Sequence, residues 1–125
     1  MPMKLLVVED DPHTLELLHE VLTRLGAEVH AMADSRQAVT LISQEKFDGI
    51  FLDLQMPNLD GFELARRVRC SFPNKATPVV VITGSGDKAS MERAFQMGTT
   101  LFLQKPADRA KLANLLKIIS GRKAK

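Results

Sequence analysis

A chain of 125 residues, 45% of them hydrophobic, is sized for one domain with a single buried core and leaves no room for a second. The single cysteine, Cys70, excludes an internal disulfide, and neither a charged-then-apolar leader nor a membrane-length apolar run occurs, so the expected setting is the reducing cytoplasm with no membrane association. Net charge is only +2, but residues 105–125 carry seven Lys or Arg against one Asp (+6), leaving −4 for residues 1–104, so the basic character is local.

Lys4 to Val8 (KLLVV) is a short β-branched-rich run, a first strand, ending in Glu9-Asp10-Asp11-Pro12, where the proline suits the first turn of a helix. Leu15, Leu18, Leu22 and Leu25 recur at helical spacing until Gly26 stops that helix. A second strand is expected over Ala27 to Ala31. Asp34 or Ser35 can cap the next helix, with Gln37 three residues after Asp34 and Ala38, Leu41 and Ile42 on one face, ending near Lys46. Ile50, Phe51 and Leu52 form an apolar run too short for a helix, a third strand that ends abruptly in Asp53. Gly61 to Cys70 offers Leu64, Ala65 and Val68 as a helical face, and Asp60 before it reads as a turn residue or cap. Pro73 and Pro78 bracket a loop, and Val79 to Thr83 (VVVIT) is the most plainly buried strand. A shorter helix follows with Met91, Ala94 and Phe95 expected inward, ending at Met97-Gly98. Leu101 to Gln104 makes a fifth strand. Lys105-Pro106 is expected to start a last helix with Leu112, Leu115, Leu116 and Ile119 on its core stripe, fraying from Gly121 to Lys125.

Five strands each followed by a helix specify a parallel sheet with right-handed crossovers, an α/β fold with helices on both faces. A closed barrel would need eight such units. Residues 1–121 are expected to form the domain, with 122–125 a basic tail or linker stub.

The carboxyl ends of the strands carry the chemistry, because the ligand crevice of an open α/β sheet lies there. Glu9 and Asp10 end the first strand, Asp53 the third, Thr83 the fourth and Lys105 the fifth. Three carboxylates brought close raise one another's pKa unless a cation sits among them. A hard divalent ion, Mg2+ above all, relieves that and can also hold a phosphoryl oxygen. Asp53 is then a nucleophile for phosphorus, and Thr83 and Lys105 can donate to the phosphoryl oxygens.

With VVEDD at 7–11, LDLQMPNLDG at 52–61, VITG at 81–84 and FLQKP at 102–106, the chain resembles the receiver domain of two-component response regulators over residues 3 to 120. That resemblance implies a three-layer, doubly wound, flavodoxin-like sheet of strand order 2-1-3-4-5. It implies Asp53 as phospho-acceptor, Glu9 and Asp10 as the metal-binding pair, and the backbone carbonyl of Gln55 completing the metal shell. Thr83 matches the switch hydroxyl, Phe102 the switch aromatic and Lys105 the phosphate-contacting lysine. Gln55 and Ser85 match positions that tune hydrolysis; neither is charged, so neither is a strong general base and a phosphoryl lifetime toward minutes is expected. Phe102 stands where tyrosine is more frequent and removes a hydroxyl contact, and Gly84, where alanine is more frequent, loosens the loop after the fourth strand.

The implied function is a phosphorylation-driven switch that takes a phosphoryl group from a phosphohistidine of a sensor histidine kinase or a histidine phosphotransfer protein. It is no enzyme beyond catalysing its own aspartyl phosphorylation and dephosphorylation. Output would leave through the fourth helix, fifth strand and fifth helix, toward an acidic partner or a second copy in a homodimer. The alternative is a phosphate sink, or a pseudo-receiver that works unphosphorylated, although the latter would be expected to lack part of the acid, threonine and lysine set. A haloacid-dehalogenase-type phosphatase would need an acid two residues after its nucleophile, where this chain has Gln55. Gly84-Ser-Gly-Asp-Lys-Ala89 approximates a dinucleotide-binding turn but follows the fourth strand, with no acid about 20 positions on. The basic C-terminal segment lacks interleaved aromatics, so direct nucleic-acid binding is not expected. His13, His19 and His30 have no mutual metal-ligand spacing, and Met56 and Met91 read as packing. Asp11 reads as a helix-start acid that could assist the metal through water.

Overall fold

Short runs of Val, Ile, Leu and Phe with no polar alternation can only be strands buried on both faces, and the chain folds accordingly. The computed structural model describes residues 2–54, 56, 60–84 and 88–123, the last two as backbone only. In chain order the elements are β1 (Lys4–Val8), α1 (Pro12–Arg24), β2 (Glu28–Met32), α2 (Ser35–Gln44), β3 (Gly49–Leu52), α3 (Gly61–Cys70), β4 (Val79–Thr83), α4 (Lys88–Gln96), β5 (Leu101–Gln104) and α5 (Arg109–Lys123). All strand pairs are parallel and the order is β2-β1-β3-β4-β5. The register puts Val8 beside both Met32 and Leu52, and Thr83 beside Gln104, so the strands run out along one edge.

Alternate residues of each strand feed opposite layers, as period-2 geometry requires. Leu6, Val8, Ile50, Leu52 and Val79 meet Ala38, Ile42, Leu64, Ala65 and Val68 of α2 and α3. Leu5, Val7, Phe51, Val80 and Ile82 meet Leu18 and Leu22 of α1 and Leu112, Leu115 and Ile119 of α5. Each of the Val, Leu, Ile and Phe side chains among them contributes about 1.5–3 kcal/mol on burial, so the two layers hold the strand edge that carries the site.

Helix starts are set by aspartates. Asp11 caps α1 by accepting from Thr14 N at 3.2 Å, Asp34 caps α2 through Arg36 N at 2.9 Å, and Asp60 caps α3 through Glu63 N at 2.9 Å. Of the two capping choices at α2, the oxygen is therefore that of Asp34. Gly26, at φ +99°, ends α1 in the left-handed region that only glycine adopts cheaply.

Several boundaries differ from the sequence reading. β2 begins at Glu28 because Ala27 N still bonds Leu22 O behind the helix. The last helix begins at Arg109 and not at Lys105-Pro106, a cis peptide in the preceding turn; Asp108 is its cap, accepting from Lys111 N at 2.9 Å. It continues through Gly121 to Lys123 instead of fraying at Gly121. Phe95 is 47% exposed, not inward: α4 packs on the sheet through Ala94, which is buried with Leu54 and Val81, while Met91 is half-buried. Arg69 fixes the far end of α4: its guanidinium donates to Gly98 O at 3.0 Å, Lys75 O at 3.0 Å and Thr100 Oγ1 at 3.3 Å.

Candidate functional site

Glu9 follows β1 directly, and its backbone N–H bonds Met32 O, so the chain is still in the sheet when it presents this side chain. Asp53 follows β3 in the same way, its N–H bonding Val8 O at 3.2 Å. The neighbouring strands therefore bring two carboxylates together, Glu9 1% exposed and Asp53 9% exposed. Asp10, one residue on, lies on the solvent side. Carboxylate oxygens of Glu9, Asp10 and Asp53 all lie within 4.8 Å of one another.

Lys105 reaches the same point from the end of β5. Its Nζ donates to Glu9 Oε1 at 2.7 Å and Asp53 Oδ2 at 3.3 Å, and its N–H bonds Thr83 O at 2.7 Å. Thr83 itself is 2% exposed at the last position of β4, the strand beside β3. Phe102 is half-buried against a small cluster of Leu54, Val81 and Ala94.

Burial, together with the hydrogen bond that the protonated Glu9 carboxyl donates to Asp53 and the negative charge of Asp53, pushes the Glu9 carboxyl up to about 7. For Lys105, burial works to lower the ammonium's pKa, but the hydrogen bonds and charges of Glu9 and Asp53 outweigh it and hold the group above its ordinary value. Two acids and one lysine thus share a pocket with one carboxylate held back from ionising. A divalent cation fits this donor set: three hard oxygen ligands on one sheet edge, crowded enough that a proton is retained without it. Asp11 is spent on the cap of α1, where the Thr14 hydroxyl and amide hold its carboxyl below the usual range.

Of the residues expected at the site, Glu9, Asp10, Asp53, Thr83 and Lys105 converge on the carboxyl edge, and Phe102 stands behind it. Gln55 and Ser85 lie outside the described residues, as do Gly86 and Asp87 of the Gly84–Ala89 turn. The sequence reading missed Gly61. A Cβ there would lie 2.2 Å from Asp53 O and 2.7 Å from Leu54 Cα, and Gly61 N bonds Leu54 O at 3.1 Å, so the start of α3 rests directly on the backbone that carries Asp53. The Asp60-Gly61 pair signalled a turn, but nothing in it signalled what the turn touches.

Residues 5–117 match the family model described as the response regulator receiver domain. The chain belongs to the response regulator receiver family. Among relatives, it is 35% identical over 108 residues to the transcriptional regulatory protein CrdR of Helicobacter pylori, covering 86% of this chain and 50% of that protein. An uncharacterised 14.6 kDa protein of Leptolyngbya boryana is 33% identical, with 91% of this chain and 87% of that one covered. This receiver chain spans half or less of the length of most of the curated relatives it matches. In structure it is similar to the receiver domain of the sensor histidine kinase PA1611 of Pseudomonas aeruginosa, which has a magnesium ion coordinated in its active-site cleft (TM-score 0.90, 30% identity, 97% of this chain and 99% of that one). It is similar also to the chemotaxis protein CheY4 of Vibrio cholerae (TM-score 0.90, 28% identity, 95% and 99% covered). The strand order 2-1-3-4-5 is the flavodoxin-like one expected of a receiver. No helix among the described residues is long and apolar enough to cross a membrane.

Proposed function

We propose that Asp53 accepts a phosphoryl group from a phosphohistidine of a sensor kinase or phosphotransfer protein, and that the acceptance changes the surface formed by α4, β5 and α5. The observation that carries this reading is the convergence of three carboxylates within 4.8 Å of one another on a lysine bonded to two of them. A carboxylate oxygen of Asp53 attacks phosphorus, the P–N bond of the phosphohistidine breaks, and the imidazole departs with that electron pair. Glu9, Asp10 and Asp53 would hold Mg2+, with the Gln55 carbonyl completing the shell by resemblance. When bound, the ion neutralises the carboxylates and the charge that develops on the phosphoryl oxygens. The Lys105 ammonium moves its contact from the Asp53 carboxylate to a phosphoryl oxygen, and the Thr83 hydroxyl donates to another. The chain acts on no separate substrate beyond this self-modification, in the reducing, cytoplasmic setting that its single cysteine suits. Residues 1–121 serve as the receiver unit, and α5 carries the chain two residues past it to Lys123.

Asp10→Asn separates metal binding from phosphate acceptance. The variant binds Mg2+ at least tenfold more weakly and is phosphorylated more slowly at fixed Mg2+, with an unchanged melting temperature. An unchanged metal titration midpoint would reduce Asp10 to a solvated loop acid.

Phe102→Ala tests the output. Drawing Thr83 toward a phosphoryl group vacates space beside β5, and Phe102, already against Leu54, Val81 and Ala94, fills it without a buried hydroxyl to satisfy. The variant keeps phosphorylation near the wild-type level and loses the phosphorylation-dependent chemical-shift changes along residues 84–117. Persistence of those shifts in the variant would remove Phe102 from the switch.

A further inference from the structure

Phe72 is 98% exposed, the most exposed large hydrophobic side chain among the described residues. A single exposed apolar residue is ordinary, but this one directly follows Ser71, which lines a groove of about 410 Å³ formed by residues of α2 and α3 and the turn after α3. The groove has an apolar floor, Val39 and Ile42, and walls formed by Ser43, Arg66, Arg67, Cys70 and Ser71. Its arginines share one carboxylate: Arg66 pairs with Glu63 through a two-point contact, and Arg67 Nε lies 3.5 Å from the same Glu63. Two guanidiniums against one carboxylate leave a net positive wall beside an apolar floor, and the exposed Lys75 follows Phe72 by three residues.

We propose that this α2–α3 groove docks an acidic peptide segment of a partner protein that carries a bulky apolar side chain. The apolar side chain occupies the floor over Val39 and Ile42, acidic neighbours meet Arg66 and Arg67, and Phe72 packs against the partner. Arginine and aromatic residues are the types that dominate the binding energy of interfaces, and opposite charge across the rim sets register and encounter rate. A nucleic-acid backbone would meet the arginines but leave the apolar floor and Phe72 uncovered, and a second copy would bring its own positive wall against this one. The groove lies along α2 and α3, away from the Asp53 edge and the α4–β5–α5 face, so it adds a contact beyond the proposed switch.

The test is a titration of the isotope-labelled chain with the synthetic peptide acetyl-DEFEDLE-amide, with acetyl-KKFKKLK-amide and an eight-nucleotide oligothymidylate as competitors of opposite charge and different chemistry. The acidic peptide shifts the amides of Val39, Ser43, Cys70, Ser71 and Phe72 and slows the reaction of the Cys70 thiol with an aromatic disulfide at least threefold. Phe72→Ser and Arg67→Glu each weaken it tenfold or more; both side chains are exposed, so the melting temperature stays within 2–3 °C of wild type. Four outcomes overturn the proposal: equal binding of the lysine peptide, tighter binding of the oligonucleotide at the same residues, shifts confined to another face, or concentration-dependent shifts of these amides with no peptide present.

Discussion

Treated with a small-molecule phosphodonor such as acetyl phosphate in the presence of Mg2+, the wild-type chain gains one phosphoryl group by intact mass spectrometry and Asp53→Asn gains none. The amide keeps the shape of the side chain and removes the nucleophilic oxygen pair, so loss of labelling is complete rather than partial. The neighbouring acids do not substitute. Glu9 is buried with a carboxyl pushed up to about 7 and its Oε1 already bonded to Lys105, and Asp10 sits on the solvent side. Chelating the metal stops labelling of the wild type as well. Equal labelling of wild type and variant would move the acceptor elsewhere and sink the assignment.

How much of this was legible beforehand differs between the sheet and its connections. β1, β3 and β4 were plain because each is a continuous apolar run of three to five residues bounded by acids, glycine or proline, whereas β2, Glu-Val-His-Ala-Met at the sheet's edge, carries no such run; the parallel order follows from the intervening helices. The convergence of Glu9, Asp10, Asp53, Thr83 and Lys105 was legible for the same reason: each is the first or second residue beyond a strand or its last, and parallel strands end on one edge. The pairing of Lys105 with both Glu9 and Asp53 was not. It depends on which staggered conformations a four-carbon side chain adopts, and no periodicity records that.

The connections were harder because their determinants are single hydrogen bonds. Pro106 after Lys105 looked like a helix's first residue, yet the turn continues to Asp108, whose side chain supplies the cap; an acid three residues before Lys111 was the available signal. Asn74 passed as loop filler between two prolines. It is fully buried: its amide donates to Ile42 O and Glu45 O at 2.7 Å each, and its carbonyl accepts from Phe47 N at 2.8 Å and the Thr77 hydroxyl at 3.0 Å. That one side chain ties the end of α2 to the entry of β3, 27 and more residues away in sequence. Phe95 failed for a different reason: a nine-residue helix over a sheet edge buries a narrow stripe, and helical periodicity names candidates for that stripe without saying how wide it is.

Gly61 and Gly84 have opposite expected fates on substitution by alanine, and the pair tests how α3 supports Asp53. The Cβ of an alanine at Gly61 would meet three backbone atoms, Asp53 O at 2.2 Å, Leu54 Cα at 2.7 Å and Asp53 C at 2.9 Å. No side chain can swing away to make room. Either the segment that presents Asp53 moves off the edge, or the first turn of α3 lifts and breaks the Gly61 N to Leu54 O bond. Overpacking of this kind costs about 3 kcal/mol, which for a domain of this size is roughly a 10 °C fall in melting temperature. Phosphorylation of Asp53 slows at least tenfold, because a displacement well under the contact distance already misaligns an attacking oxygen. At Gly84 nothing lies within 4 Å of the added carbon and φ is not in the left-handed region. Gly84→Ala therefore leaves melting unchanged or raises it by up to about 1 kcal/mol of stability, since it restricts the unfolded chain. Thermal melts and phosphorylation rates of the two variants side by side decide the matter. A Gly61→Ala variant that melts within 2–3 °C of wild type and labels at the wild-type rate would mean that α3 does not bear on the Asp53 backbone.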